Sequence, residues 1–94
     1  MFQVYILYSR KLDSYYIGET KEIEVRINQH NTKVYPHSYT KQADDWEPFI
    51  KIECLSRTQA RKIEAHIKRM KSRKYIQNLK EFPEIIDKLK SKYQ

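Results

Sequence analysis

The feature that most constrains the fold of this chain is a pair of predicted β-strands at its beginning. The first strand covers residues 2–9, and its middle is apolar or aromatic without interruption, which is typical of a central strand covered on both faces. Polar residues 10–14 form a predicted turn, and a returning strand over residues 15–18 ends at Gly18, the one glycine of the sequence. This spacing predicts a β-hairpin with a loop of about five residues.

A first helix is predicted after the hairpin. Thr20 is a suitable N-cap residue, and Ile23 and Ile27 are four positions apart, so they form one buried stripe. The helix is expected to end near Asn31, because asparagine can adopt the left-handed conformation at a helix C-terminus. The polar connection that follows, residues 32–46, is long for a compact domain, and connections of this length are often functional.

The second half of the chain predicts one more strand and further helices. Apolar and charged residues alternate over residues 49–55, which indicates a half-buried strand and places Cys54 in the core. Ser56 begins a capping box and opens an amphipathic helix. Residues 71–79 are interpreted as a separate basic helical turn, and Pro83 suits the first position of a last helix. This order predicts an α+β fold with helices on a small antiparallel sheet.

The length and cysteine content of the chain restrict its class. A chain of 94 residues can form one domain with its own core, without metal or disulfide staples. Cys54, the only cysteine, excludes an intramolecular disulfide and a multi-cysteine zinc site. No apolar stretch approaches the ~20 residues of a membrane span, and the first residues lack the pattern of a secretory signal. We therefore expect a cytoplasmic protein.

Positive charge is concentrated in one segment of the chain. Residues 56–80 hold nine lysine and arginine residues and one acid, a net charge of +8 within a chain of net charge +7. A focused basic segment of this kind is typical of proteins that bind nucleic acid. The charge alone also suits a solvated basic helix without a partner, or a protein that binds an acidic membrane surface.

Tyr5 and Tyr16 lie on paired strands of the predicted hairpin, so their side chains can approach each other across the sheet. Two half-buried core tyrosines would satisfy this pattern. A functional pair would place its phenol groups near a phosphate, to donate a hydrogen bond or to relay a proton from water. A free phenol has a pKa of ~10, so the second role requires a nearby cation that lowers this pKa.

Arg26 and His30 are four residues apart on the first helix, hence on one side of it. The planar guanidinium of Arg26 is suited to bind a phosphate, and His30 could accept or relay a proton. Both residues also have purely structural interpretations. Arg26 can pair with Glu22 one turn earlier, and a histidine is favoured near a helix C-terminus by the helix dipole.

Glu64 is the single acid of the basic segment. One carboxylate with several waters is a normal way to hold Mg²⁺, which keeps most of its hydration shell. The alternative is a surface ion pair with Lys68, four residues later, which would contribute about 0.3–0.5 kcal/mol to stability and need no function.

The order of these residues resembles that of the GIY-YIG nuclease superfamily, in particular its small stand-alone single-domain bacterial members. Residues 16–18 read Tyr-Ile-Gly, the intact second half of the motif that names the family. Residues 3–5 read Gln-Val-Tyr, so the first half keeps its tyrosine but has Gln3 where the family has glycine.

The resemblance extends to the helices and covers roughly residues 2–79. Arg26 falls on the helix arginine of the family, and His30 falls on the residue one turn later. Residues 60–64 match the segment that ends in the metal-binding glutamate, here Glu64. Residues 71–76 resemble the basic run of the stand-alone members.

The resemblance implies a three-stranded antiparallel sheet flanked by helices within residues 1–79. Residues 80–94 would be an extra C-terminal helix packed on the same domain. It also implies hydrolysis of phosphodiester bonds with one ion, Mg²⁺ or Mn²⁺, held by Glu64. Asn78 would correspond to a late asparagine of the family, and Gly18 would let the chain turn close to a phosphate.

The resemblance carries catalytic roles to five residues: Tyr5, Tyr16, Arg26, His30 and Glu64. Arg26 would neutralise charge that grows in the transition state, and Tyr16 or Tyr5 would position or deprotonate water with help from His30. We expect these side chains to line one concave surface. The basic surface expected to bind nucleic acid, with DNA as the expected partner, consists of Arg57, Arg61, Lys62, Lys68, Lys71, Arg73 and Lys74.

Three functions are compatible with the sequence. The first is a Mg²⁺-dependent endonuclease of low sequence specificity, for example in DNA repair or processing. The second is a nucleic-acid-binding module of the same fold with weak or no activity, and the third is an interaction domain whose basic surface meets an acidic protein. Glu64 favours the first, because an acid in the basic segment would weaken a pure phosphate binder.

Overall fold

The computed structural model describes residues 1–32 and 43–94. Within these residues the chain forms three strands and four helices. In chain order they are β1 (Phe2–Ser9), β2 (Ser14–Thr20), α1 (Ile23–Asn31), β3 (Glu47–Cys54), α2 (Arg57–Met70), α3 (Arg73–Glu81) and α4 (Glu84–Lys92). The predicted α+β fold with a three-stranded antiparallel sheet is confirmed. Residues 33–42, in the middle of the predicted connection, lie outside the described residues.

The uninterrupted apolar strand is central, as predicted. The strand order is β2-β1-β3, and β1 pairs antiparallel with both neighbours. Residues 4–7 of β1 are at most 2% exposed, because each face of the strand is covered by other parts of the chain. Pro48 lies near the start of β3, where an edge strand tolerates a residue without an N–H group.

Each face of the sheet has its own hydrophobic cluster. One cluster is mainly aliphatic and joins Val4 and Ile6 of β1 to Ile63 of α2 and to residues of β3, α3 and α4. The other cluster contains Tyr5 and Trp46, and α1 packs against it. The two helices that carry candidate site residues, α1 and α2, therefore lie on opposite faces of the sheet.

The last helix packs on the aliphatic cluster. Leu89 of α4 is 5% exposed and belongs to the same cluster as Ile63. The side chain of Gln59 links α2 to α4, because its Nε2 donates a hydrogen bond to the carbonyl of Lys90 at 3.1 Å. Its Oε1 accepts a hydrogen bond from the N–H of Leu55 at 2.7 Å. The division into residues 1–79 and 80–94 stays a prediction.

The predicted N-cap of α1 is wrong by two residues, whereas its predicted end near Asn31 is confirmed. Thr20 is the last residue of β2, paired with Gln3, and the helix N-cap is Glu22. The Thr20 hydroxyl still accepts a hydrogen bond from the Glu22 N–H at 3.1 Å. At the other end, Asn31 stays helical and Thr32 follows as a C-cap with φ −89°. Pairing with β1 extends β2 to Thr20, which moves the start of the helix. The Asn31 side chain binds the backbone of Trp46, and Asn31 does not take the expected left-handed conformation.

The predicted N-cap of α2 is confirmed. The Ser56 hydroxyl accepts a hydrogen bond from the N–H of Gln59 at 3.1 Å. Lys71 takes a left-handed conformation, φ 47°, after α2, and the basic turn expected over residues 71–79 is a full helix capped by Ser72. Pro83 stands one position before the first residue of α4. No helix in the described part of the chain is long and apolar enough to cross a membrane.

Candidate active site

Tyr5 and His30 form a buried pair beneath α1. The Tyr5 hydroxyl and His30 Nε2 are 2.9 Å apart and share a hydrogen bond, and the two residues are 2% and 1% exposed. Alternation along β1 directs Tyr5 toward α1, where His30 lies in the last turn of the helix. Because both are buried, neither can touch a nucleic acid directly in this structure. They can hold a neighbouring side chain in position.

Burial makes His30 a neutral side chain at neutral pH. Loss of hydration on burial, and secondarily the positive charge of Arg26, lower the pKa of His30 from 6.5 to about 4. A neutral imidazole has one N–H donor and one nitrogen acceptor. His30 is therefore able to order a hydrogen-bonded group without adding a positive charge to the site.

Tyr16 is the outer member of this aromatic group. Its ring lies 4.7 Å from the ring of His30, 6.3 Å from that of Tyr5 and 6.4 Å from that of Trp46, measured between ring centroids. It is only partly buried, unlike Tyr5 and His30. Of the two predicted catalytic tyrosines, Tyr16 is the more exposed.

Gly18 is required by Tyr5. The two residues face each other in the β1–β2 pairing, and a Cβ atom on Gly18 would lie 2.5 Å from the Tyr5 hydroxyl oxygen and 2.6 Å from Cζ. Gly18 has no positive φ and lies within β2. The turn expected at Gly18 is therefore absent, and the group that approaches its backbone is the phenol of Tyr5. The approach of a phosphate to Gly18 stays a prediction.

Asn31 and Trp46 form an anchor that the sequence reasoning missed. The Asn31 side chain accepts a hydrogen bond from the Trp46 N–H at 2.8 Å and donates one to the Trp46 carbonyl at 3.0 Å. This double contact fixes the end of α1, and Trp46 is 2% exposed beside Tyr16. A polar residue that closes a helix before a long connection was the available signal.

Arg26 borders a cavity of about 520 Å³ at the end of β2. Glu19 and Glu22 also line this cavity, and so does Arg57 of α2. The cavity therefore reaches from α1 to α2 past the end of the strand between them. Arg26 is partly buried, and its charge is felt by His30 one turn away.

Glu64 lies on α2, on the opposite face of the sheet from Tyr16. Its Oε1 is 3.4 Å from Lys68 Nζ, so the predicted ion pair is present. The Glu64 side chain is nevertheless only 21% exposed, whereas that of Lys68 is 53% exposed. The carboxylate is thus partly shielded rather than directed into open solvent.

The position of Glu64 along the sheet follows from its neighbours on α2. Arg57 and Arg61 lie on the same side of the helix, seven and three residues before Glu64. Their Nε atoms are 3.5 and 3.9 Å from Oε1 of Glu19, near the end of β2. Lys68, on the other side of Glu64, borders a cavity beside the start of β2.

Glu64 therefore stands along β2, between the two ends of that strand. Within the sheet of the described residues, β2 is an edge strand. Tyr16, His30 and Arg26 approach this strand from the α1 face, and Glu64 approaches it from the α2 face. The candidate residues therefore approach one edge of the sheet from both of its faces. The catalytic roles of the five residues stay predictions.

The basic residues differ in how they are engaged. Arg57 and Arg61 share Glu19, and Arg73 binds Asp13, with Nη2 2.8 Å from Asp13 Oδ1. These ion pairs join distant parts of the chain, although the alternation of β2 could have shown that Glu19 faces α2. Within the two described ranges, the remaining predicted phosphate-binding residues without a carboxylate partner are Lys62, Lys71 and Lys74. Asn78 lies partly buried on α3, and its assignment stays a prediction.

The donor set for a metal ion is small. Among the described residues, no group of three histidine, cysteine, aspartate or glutamate side chains could hold a metal. A single carboxylate such as that of Glu64 is enough for Mg²⁺, which commonly binds one or two carboxylates and keeps several waters. The ammonium group of Lys68 beside this carboxylate shows that its surroundings accept a cation.

A family model described as the GIY-YIG catalytic domain matches residues 1–77 of the chain. The chain therefore belongs to the GIY-YIG family, which confirms the resemblance inferred from its motifs. GIY-YIG domains are nucleases, hydrolases that cut phosphodiester bonds, and they generally use divalent metal ions and act on nucleic acid. No curated protein and no solved structure matches this chain.

Proposed function

We propose that this protein is an endonuclease that cuts DNA with one Mg²⁺ or Mn²⁺ ion and has little sequence specificity of its own. The observation that carries the proposal is the position of two groups of candidate residues on the two sides of the edge strand β2. Tyr16 and Arg26 lie on one side of it, and the shielded carboxylate of Glu64 lies on the other. The match to the GIY-YIG catalytic domain supports hydrolysis of a phosphodiester bond.

Tyr16 is proposed to position the attacking water or to take its proton. The buried Tyr5–His30 pair supports this role, because its rings pack against Tyr16 and restrict where the phenol can lie. His30 stays neutral at physiological pH, so it adds no competing charge. Tyr5 and His30 thus act as positioning residues.

Arg26 is proposed to bind the scissile phosphate. A guanidinium can donate two parallel hydrogen bonds to phosphate oxygens. Negative charge on those oxygens grows during attack, so a fixed cation stabilises the transition state more than the ground state.

Glu64 is proposed to hold the metal ion. When bound, a divalent ion supplies charge stabilisation at the phosphate and at the leaving oxygen. The neighbouring Lys68 already competes for this carboxylate in the structure, so occupation of Glu64 by a metal would release Lys68 for other contacts.

The partner proposed is DNA, bound through its backbone by the basic side of α2 and α3. Binding of this kind depends steeply on salt and little on sequence. A role in DNA repair or processing and a cytoplasmic location belong to the same proposal. The location is supported by Cys54, which is a buried free thiol of the kind found in reducing compartments.

The test compares Glu64→Gln with a matched variant, Glu84→Gln, at an exposed position of α4. Cleavage of supercoiled plasmid and of branched DNA would be measured with Mg²⁺, with Mn²⁺ and with EDTA. We expect Glu64→Gln to lose about 10³-fold in rate, because several kcal/mol of metal-dependent stabilisation disappear. EDTA should abolish cleavage by the native protein, and Glu84→Gln should cleave normally.

DNA binding by the same variants completes this test. Glu64→Gln should bind DNA as tightly as the native protein or more tightly, because the substitution removes a negative charge from a basic surface. Cleavage that survives Glu64→Gln would refute the role of this carboxylate. A native protein that binds DNA but never cleaves it would instead be a binding module of the nuclease fold.

A further inference from the structure

A second cavity, of about 250 Å³, lies at the start of β2. We call it the Tyr15 cleft. Its walls include Tyr15 and Ile17 of β2, Ile67 and Lys68 of α2, and Lys71 and Arg73 at the junction of α2 and α3. Its volume is below the ~300 Å³ at which pockets for drug-sized ligands begin, which suits a small group such as one sugar-phosphate unit.

The charged residues that line the Tyr15 cleft are all positive. Three of its lining residues are the cations Lys68, Lys71 and Arg73, and none of its lining residues is acidic. Ile17 and Ile67 contribute apolar surface between strand and helix. A concave, cationic cavity with low-dielectric walls focuses a positive potential and attracts an anionic group.

The backbone around the cleft adds to this potential. Lys71 adopts φ 47°, and Ser72 then caps α3 by accepting a hydrogen bond from the N–H of Tyr75 at 3.1 Å. Ser72 and Arg73 line the cavity, so the N-terminus of α3 borders it. The positive end of a helix dipole favours anions in addition to the side-chain charges.

The three cations are not equally available. Arg73 donates hydrogen bonds to the backbone carbonyl and the carboxylate of Asp13, at 2.7 and 2.8 Å, and lies 5.5 Å from the centre of the Tyr15 ring. Lys68 is shared with Glu64. Lys71 is exposed and has no carboxylate partner among the residues that the structure describes. It is therefore the cation best placed to bind an added anion.

The distance between the Glu64 carboxylate and the Tyr15 cleft indicates which phosphate of a DNA strand the cleft could bind. Lys68 contacts Glu64 and also lines the Tyr15 cleft. Glu64 and Lys68 are four residues apart on α2, which corresponds to about 6 Å along the helix axis. Successive phosphates on one strand of a duplex rise about 3.4 Å along its axis. A strand with one phosphate beside Glu64 would bring a phosphate one or two nucleotides away to the cleft.

We propose that the Tyr15 cleft binds a backbone phosphate one or two nucleotides from the cleaved bond, with Lys71 as its main ligand. The cleft thereby sets the path of the strand along β2. This inference rests on the proposed nuclease function, and it adds a defined subsite to the diffuse basic surface.

The first experiment compares Lys71→Gln with Lys88→Gln, which removes the same charge from an exposed position on α4. Affinity for a DNA duplex would be measured by fluorescence anisotropy at several salt concentrations, without divalent ions. Loss of one phosphate contact should reduce the slope of log K against log salt by about 0.9 in Lys71→Gln. Lys88→Gln should keep the native slope. Thermal unfolding of both variants checks that they fold.

The second measurement uses a duplex too short to admit more than one binding register and places a single neutral methylphosphonate at each of its positions. In the native protein one position should weaken binding most, and in Lys71→Gln that position should have no further effect. Native binding with equal slopes for the two variants would overturn the cleft proposal and leave the nuclease proposal standing. A native protein that binds no nucleic acid would overturn both.

Discussion

On the α1 face of the sheet, two polar groups of the candidate site are buried and held by each other. Tyr5 and His30 are at most 2% exposed and share a hydrogen bond. On the α2 face, the charged groups lie near the surface. The side chains of Glu19 and Glu64 are 16% and 21% exposed, and their basic partners are more than half exposed.

This difference indicates a division of labour within one small domain. A buried hydrogen bond fixes geometry, because a polar group left without its partner costs about 1–3 kcal/mol. A surface ion pair contributes about 0–1 kcal/mol, so a phosphate or a metal ion can replace one of its members. The α1 face is suited to orient Tyr16, and the α2 face is suited to exchange partners when substrate binds.

The largest expected effect on stability concerns Gly18→Ala. The added methyl group would lie 2.5 Å from the Tyr5 hydroxyl, and overpacking of this kind costs about 1–3 kcal/mol or more. Urea unfolding would measure the loss. In a Tyr5→Leu background the phenol is absent, so the same substitution should cost less than half as much. Equal costs in both backgrounds would show that the Tyr5–Gly18 contact is not what requires glycine.

A smaller effect is expected from pH, through His30. In the unfolded chain its pKa is near 6.5, and burial lowers the pKa to about 4 in the fold. Between pH 7 and pH 5 the unfolded state therefore binds more protons, and stability should fall by about 2 kcal/mol as the pH falls.

The variant His30→Gln should lose most of this pH dependence in urea unfolding at pH 7 and pH 5. The matched variant is His66→Gln. Burial, and after it the charge of Lys92, also lowers the pKa of His66. His66 therefore contributes to the pH dependence of stability in the same direction as His30. His30→Gln with a native pH dependence would contradict the buried neutral state of His30.

The smallest effect is expected on the α2 face. Glu64→Gln removes the ion pair with Lys68 and should change the free energy of unfolding by at most about 0.5 kcal/mol. The same urea experiment at pH 7 measures it. A loss of several kcal/mol would show that Glu64 is a structural residue and would remove the contrast between the two faces.

Much of the fold could be predicted from local patterns. The apolar run of β1, the capping serine of α2 and the order of elements follow from interactions between residues close in sequence, which a single chain displays directly. The spacing of Arg26 and His30 likewise placed them on one side of α1. The N-cap of α1 and the cap conformation of Asn31 were predicted wrongly, because strand pairing at Thr20 and the Trp46 contact of Asn31 are long-range.

The sequence by itself determined the family, the β1–β2 hairpin with its two tyrosines, and a basic segment with one acid. These follow from residue types at short spacings. Only the tertiary structure decided that Tyr5 is buried on His30, that Gly18 makes room for Tyr5, and that Asp13 and Glu19 engage part of the basic surface. The physical reason is that burial and charge pairing depend on which distant segments meet in the fold.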